Sequence, residues 1–77
     1  MISEEYPDLM ILDGFDEAIV GVVERIGLLA VCYDRSKILK VLMRDMNEEE
    51  AVEYFEFNIL GAYMGESSPV YLDVMGL

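Results

Sequence analysis

The stretch Asn47–Gly65, NEEEAVEYFEFNILGAYMG, constrains this chain more than any other. Asn47 is a good N-cap, because its side-chain oxygen can accept from the free N–H groups of a first helical turn. Glu50, three residues on, supplies the second half of a capping box. Glu48, Glu49 and Glu50 fall where the helix dipole favours negative charge. Val52, Phe55, Ile59, Ala62 and Tyr63 recur at the spacing of one helical face, and a glycine ends the run. The stretch predicts a helix over 48–64. Tyr54, Phe57, Gly61 and Met64 fall on the other side of that helix. A helix that is apolar on two sides is enclosed on both or has a second docking surface. Core is expected on one side. A second copy, a partner, or rings left on the surface are the alternatives for the other. Gly61 costs about 1 kcal/mol relative to alanine in a helix interior, so a packing reason, such as close approach of another backbone, is expected there. Asn58 is expected at the edge of the buried face, hydrogen-bonded.

The chain has 77 residues, which bounds it to one domain, and 55% of them are hydrophobic. So short a chain buries only about 60% of its unfolded surface, and high apolar content in a small core points to an oligomer or a partner. Net charge is −11, unevenly spread: −7 over residues 1–24, +4 over 25–44 and −8 over 45–77. Direct binding to nucleic-acid phosphate is excluded on that balance, whereas attraction to a basic protein is favoured. The longest apolar run, Ile26–Tyr33, has eight residues, against the roughly 18 that a membrane span requires. The lone Cys32 cannot form an internal disulfide, and the acidic N-terminus does not read as a signal peptide. A cytoplasmic location is the expectation. Cys32 sits in the apolar run LLAVCY and reads as a buried, inert thiol.

Taken in order, residues 1–8 form an acidic lead-in and 9–12 a short apolar strand. Asp13 then caps a helix over 14–26, where Phe15, Ala18, Ile19, Val22, Val23 and Ile26 make an apolar stripe. Gly27 is placed as its left-handed stop. Residues 28–33 read as a buried strand. Asp34 caps a second helix over 35–45, with Ile38, Leu39 and Leu42 inward and Lys37, Lys40 and Arg44 as a basic outer stripe. A short turn leads to the helix at 48–64, and alternation over 70–74 predicts a half-buried strand. The fold class expected is α+β, three helices with a sheet of two or three short strands, in the order β-α-β-α-α-β.

The sequence has no histidine, which removes Ser–His–Asp and Cys–His catalysis and the usual zinc and iron sites. No phosphate-binding glycine loop is present, and Asp13–Glu17 lacks the spacing of a calcium loop. No catalytic residue, cofactor or metal site is expected.

Glu49–Asn58 (EEAVEYFEFN), Gly61-Ala62-Tyr63 and Gly65–Pro69, with the Phe15–Gly27 run and the Tyr33-Asp34 junction, resemble small acidic proteins encoded in bacteriophage and prophage genomes. The likeness spans roughly residues 13–72. What it implies is an accessory protein acting in a bacterial cytoplasm. The leading expectation is a non-enzymatic inhibitor that covers a basic surface of a bacterial defence or nucleic-acid-processing protein, as a nucleic-acid mimic. Glu48, Glu49, Glu53 and Glu56 are the candidate contacts, with Tyr54 and Phe57 as apolar anchors. The alternatives are a self-assembling protein, a dimer first, or a small-ligand binder at an oligomer interface. That interface would use Tyr54, Phe57, Gly61 and Met64; Lys37, Lys40 and Arg44 read first as a solvated face, and alternatively as docking against acids of the N-terminal or central helix, within one chain or between copies.

Overall fold

The computed structural model describes residues 9–62 and 67–75. They form a sheet of β1 (Ile19–Arg25), β2 (Leu28–Asp34) and β3 (Val70–Leu72), in the spatial order β1-β2-β3. Between β2 and β3 run α1 (Arg35–Leu42) and α2 (Glu48–Tyr54), the latter continued by a π-helical segment, Phe55–Leu60. β1 and β2 pair antiparallel and β2 and β3 parallel. The two helices therefore make the crossover that parallel strands need.

The molecule is α+β, but the expected three helices and element order are not found. Of residues 14–26, only Asp16–Ala18 is helical, as a single 3-10 turn, and Ile19–Arg25 is a strand. Apolar residues at helical spacing also suit a strand partly covered on both sides. The tie is broken by Ile19, Val20, Val22 and Val23, whose β-branched side chains favour the pleated conformation, and by Gly21, which weakens a helix. Gly27 is left-handed as expected, at φ 76°, but it closes a hairpin. Arg25 pairs directly with Leu28, so the loop is Ile26-Gly27. Only the second loop residue has positive φ, the sign pattern of a type II turn. A bulge between Ile19 and Gly21 leaves Val20 out of register and exposed.

Residues 9–12 are not a strand. Leu9, Ile11 and Leu12 instead pack, half-buried, against the core as an irregular segment. α1 stops three residues short of the expected 45, its end finished by turns in which Arg44 N–H donates to Val41 O and Asp45 N–H to Leu42 O. The last strand ends at Leu72, and 73–74 are outside it. The lead-in at 1–8 and the helix end at Tyr63, Met64 and Gly65 lie outside the described residues. Among those described, no helix is long and apolar enough to cross a membrane.

Alternation along β2 sends Val31 and Tyr33 to the helices, where Ile38, Leu42, Ala51, Phe55 and Ile59 meet them. Tyr33 is fully buried, and its hydroxyl accepts from Leu12 N–H at 2.7 Å. That bond fastens the N-terminal segment to the central strand. Cys32, on the other side of β2, is buried and unpaired.

Burial pushes the Tyr33 phenol above its ordinary pKa; the hydrogen bond from Leu12 opposes this and the charge of Asp16 adds to it. Burial, then Tyr33, raises Tyr71 as well. Both phenols hold their protons to higher pH when folded. Their stabilisation is complete below the unfolded phenol value of about 10 and is lost as pH rises through the folded values. Thermal melts should therefore show stability falling above about pH 10. Tyr33→Phe should cost about 1 kcal/mol at neutral pH, by orphaning Leu12 N–H, and should blunt the alkaline loss. An alkaline loss of wild-type size in that variant would refute this assignment.

Candidate functional site

The capping box expected at Asn47 is formed. Glu50 N–H donates to Asn47 Oδ1 at 2.8 Å, and Asn47 N–H donates to Glu50 Oε1 at 3.2 Å. This fixes the start of α2 and hence which residues turn inward. Ala51, Phe55 and Ile59 are buried and Val52 is half-buried. Ala62, assigned by spacing to the same face, is exposed.

The π-helical segment sets the rest of the face. Its i→i+5 bonding, seen where Gly61 N–H donates to Glu56 O at 3.1 Å, makes a wider turn. Residues four apart are then nearly in line, which keeps Phe55 and Ile59 over the core and aims Phe57 at solvent. A Cβ at Gly61 would lie 3.1 Å from Glu56 O and 3.2 Å from Phe57 O. The close backbone is the helix's own, not that of another element as expected.

Phe57 is 79% exposed and Tyr54 43%. Together with Met46, Glu50, Glu53 and Asn58 they line an open, shallow depression of about 350 Å³. Asn58 is thus an exposed lining residue of the depression and not a buried one. Glu48, Glu49 and Glu53 are all exposed on the same helix. The surface offers aromatic faces beside carboxylates, an arrangement that suits a cation with an apolar stem.

Glu56 is drawn away from this group. Its Oε1 lies 3.9 Å from Arg35 Nη2, and the same guanidinium reaches Asp73 at 3.6 Å and sits 5.2 Å from the centre of the Phe55 ring. Arg35 Nε is buried without a hydrogen-bond partner among the described residues. Arg35 was not singled out by sequence reasoning. The available signal was its place in the first turn of α1, where the helix dipole disfavours a cation and a specific acidic partner is implied.

The basic stripe divides. Arg44 Nη2 donates to Glu17 Oε1 at 2.8 Å, tying the end of α1 to the 3-10 turn. Lys37 and Lys40 are exposed and form no ion pair among the described residues. Gly61 is exposed near the aromatic face, and Met64 lies outside the described residues. Among the described residues, no three cysteine or carboxylate side chains converge where they could hold a metal ion.

Comparison with protein-family models, with curated proteins and with solved structures finds no match to this chain.

The cap and the exposed ion pair differ in what they contribute. Asn47→Ala should cost about 1 kcal/mol, or about 4–8 °C in Tm for a domain of this size. Arg44→Ala removes a pair with both side chains more than half exposed and should cost no more than about 0.5 kcal/mol. Differential scanning calorimetry of the two variants checks the ordering; an equal or larger loss in Arg44→Ala would contradict it.

Proposed function

We propose that this protein is a non-enzymatic binding protein that presents the acidic, aromatic face of α2 to a basic surface of another protein. The observation that carries the reading is Phe57, a largely exposed ring at the edge of a shallow depression shared with Tyr54, Glu50 and Glu53. Single exposed rings are common on monomers, but two neighbouring aromatics set among carboxylates form a patch that suits a partner, and aromatic anchors dominate binding energy where they are buried in an interface. An arginine or lysine entering the depression stacks its stem on the rings and places its charge by the carboxylates. Cation–π contact contributes about 0.5–2 kcal/mol, and a charge-assisted hydrogen bond to Glu53 adds specificity. The net charge of −11 steers a basic partner to the molecule from a distance, at a rate that falls with salt.

The resemblance to phage accessory proteins points to a bacterial partner, and on this proposal that partner belongs to a defence or nucleic-acid-processing system. The carboxylates of Glu48, Glu49 and Glu53 then stand in for nucleic-acid phosphates, with Tyr54 and Phe57 in place of stacked bases. Glu56 has a lesser share in this reading, because Arg35 already engages it.

Affinity capture from bacterial lysate, followed by titration of the purified partner at two salt concentrations, is the test. The expected partner carries a basic surface and is released as salt rises. Glu53→Lys should abolish capture, and Phe57→Ala should weaken binding by about tenfold or more. A folded Glu53→Lys, Phe57→Ala double variant that binds the same partner as tightly as wild type would sink the proposal.

A further inference from the structure

The helices cover one face of the sheet. Because Val31, Tyr33 and Tyr71 point to them, the residues between these point the other way. The register sets Gly21 beside Cys32, Val23 beside Ala30, and Cys32 beside Val70, with Leu72 beside Asp34 at the end. The centre of this outer face is made of small, buried side chains, Ala30 and Cys32. Around them Val23, Leu28, Val70 and Leu72 are each between 37% and 42% exposed. Ile26, at the hairpin tip, is fully exposed. A shallow hollow of about 250 Å³ opens between Val23, Leu28, Ala30 and Val70.

We propose that a second copy of this chain covers this face, the two sheets packing face to face about a two-fold axis with the helices outward.

Three observations select a copy over another occupant. The first is where the charge lies. Glu48, Glu49, Glu50 and Glu53 are on α2, in the layer behind the sheet. Among the described residues, the charged side chains of the outer face are Arg25 at the hairpin end and the buried Asp34 at the other. This is a side on which two chains of net charge −11 can meet without setting acid against acid. A basic partner, by contrast, is drawn to the helix layer.

The second is self-complementarity. Arg25 forms no ion pair among the described residues, and the opposite end of the outer face carries Asp34, a buried carboxylate that accepts from Lys37 N–H. A two-fold axis that runs the facing strands in opposite directions brings Arg25 of each copy to the Asp34 end of the other. Sheets of this kind stack about 10 Å apart.

The third is area. Strands about 4.8 Å apart and about 20 Å long give a face of roughly 300 Å² in plan. With the hairpin tip, two copies remove on the order of 1,000 Å² from water, the lower limit for a specific interface. The dimer is therefore weak and concentration-dependent, and apolar enough to persist in salt. This inference does not rest on the proposed partner; its consequence is that two acidic α2 faces point outward from one particle.

The test is sedimentation velocity of the full chain from low micromolar to near-millimolar concentration, at low and high salt, with ¹H–¹⁵N spectra over the same range. A monomer–dimer equilibrium is expected, with concentration-dependent amide shifts at Val23, Leu28, Ala30, Cys32 and Val70 and none at Tyr54 or Phe57. Val23→Glu should raise the dimer dissociation constant by about tenfold or more, since it buries an unpaired charge. Phe57→Ala should leave that constant unchanged. A monomer throughout, or a dimer whose shifts fall on α2, would overturn the proposal. The spectra of the wild-type chain decide the matter even if Val23→Glu does not fold.

Discussion

Tyr33 and Phe55 carry the contact between sheet and helices, and the remaining elements are positioned by it. Both are essentially sealed from solvent, and a side chain of this size contributes about 1.5–3 kcal/mol on burial. Tyr71 links them, edge-on to Phe55 at 5.1 Å and 6.2 Å from Tyr33. Tyr71 lies on β3, the shortest strand, which pairs with β2 over only three residues. That strand is thus held by ring contacts as much as by its ladder. Arg35, beside the Phe55 ring, adds links to the π-helical segment through Glu56 and to the residue after β3 through Asp73. In a chain with only five basic residues, one spent at this junction offsets local repulsion where acidic segments converge.

What could be read from the sequence follows from how local each signal is. The start of α2 needed only Asn47 and Glu50, two side chains that satisfy each other's backbone, so it was legible without any tertiary information. β2 was legible because an apolar run of that length with Val, Cys and Tyr has few other uses. β1 was not, because Val22 and Val23 are adjacent, point to opposite faces and are both only partly covered. A strand with no clean inside and outside shows no alternation, and its spacing matched a helix equally well. The better discriminator was the side-chain branching of its residues. The apolar segment at 9–12 is held by Tyr33, a residue 21 positions away from Leu12, and no local pattern distinguishes such an anchored loop from a strand.

The candidate site divides along the same line. Tyr54 and Phe57 were identifiable because they break the periodicity of their own helix, and a violation of pattern is itself local information. Asn58 and Met46 were missed as lining residues because the π-helical turn, a backbone detail with no sequence signature here, decides what lies beside Phe57. Glu56 was grouped with the partner-facing acids on helical spacing alone. Its approach to Arg35 depends on how α1 and α2 cross, which spacing does not report.

The separation of charge from apolar surface gives the two proposed surfaces different physics. Binding at the α2 face is steered by charge and screened by salt, with a Debye length of about 8 Å at physiological ionic strength. Packing at the outer sheet face depends on apolar area, and salt helps it by screening the residual repulsion between copies. The two do not compete for residues, since helices and outer sheet face lie on opposite sides of the same strands. Pairing through the sheet turns one weak acidic site into two that point apart, and a partner with repeated basic sites then gains from effective concentration without any new contact. A small domain that cannot build an extensive interface of its own can reach useful affinity in this way. The proposed self-association at the sheet and the proposed recognition at the helix are thus complementary uses of a surface that is apolar on one side and acidic on the other.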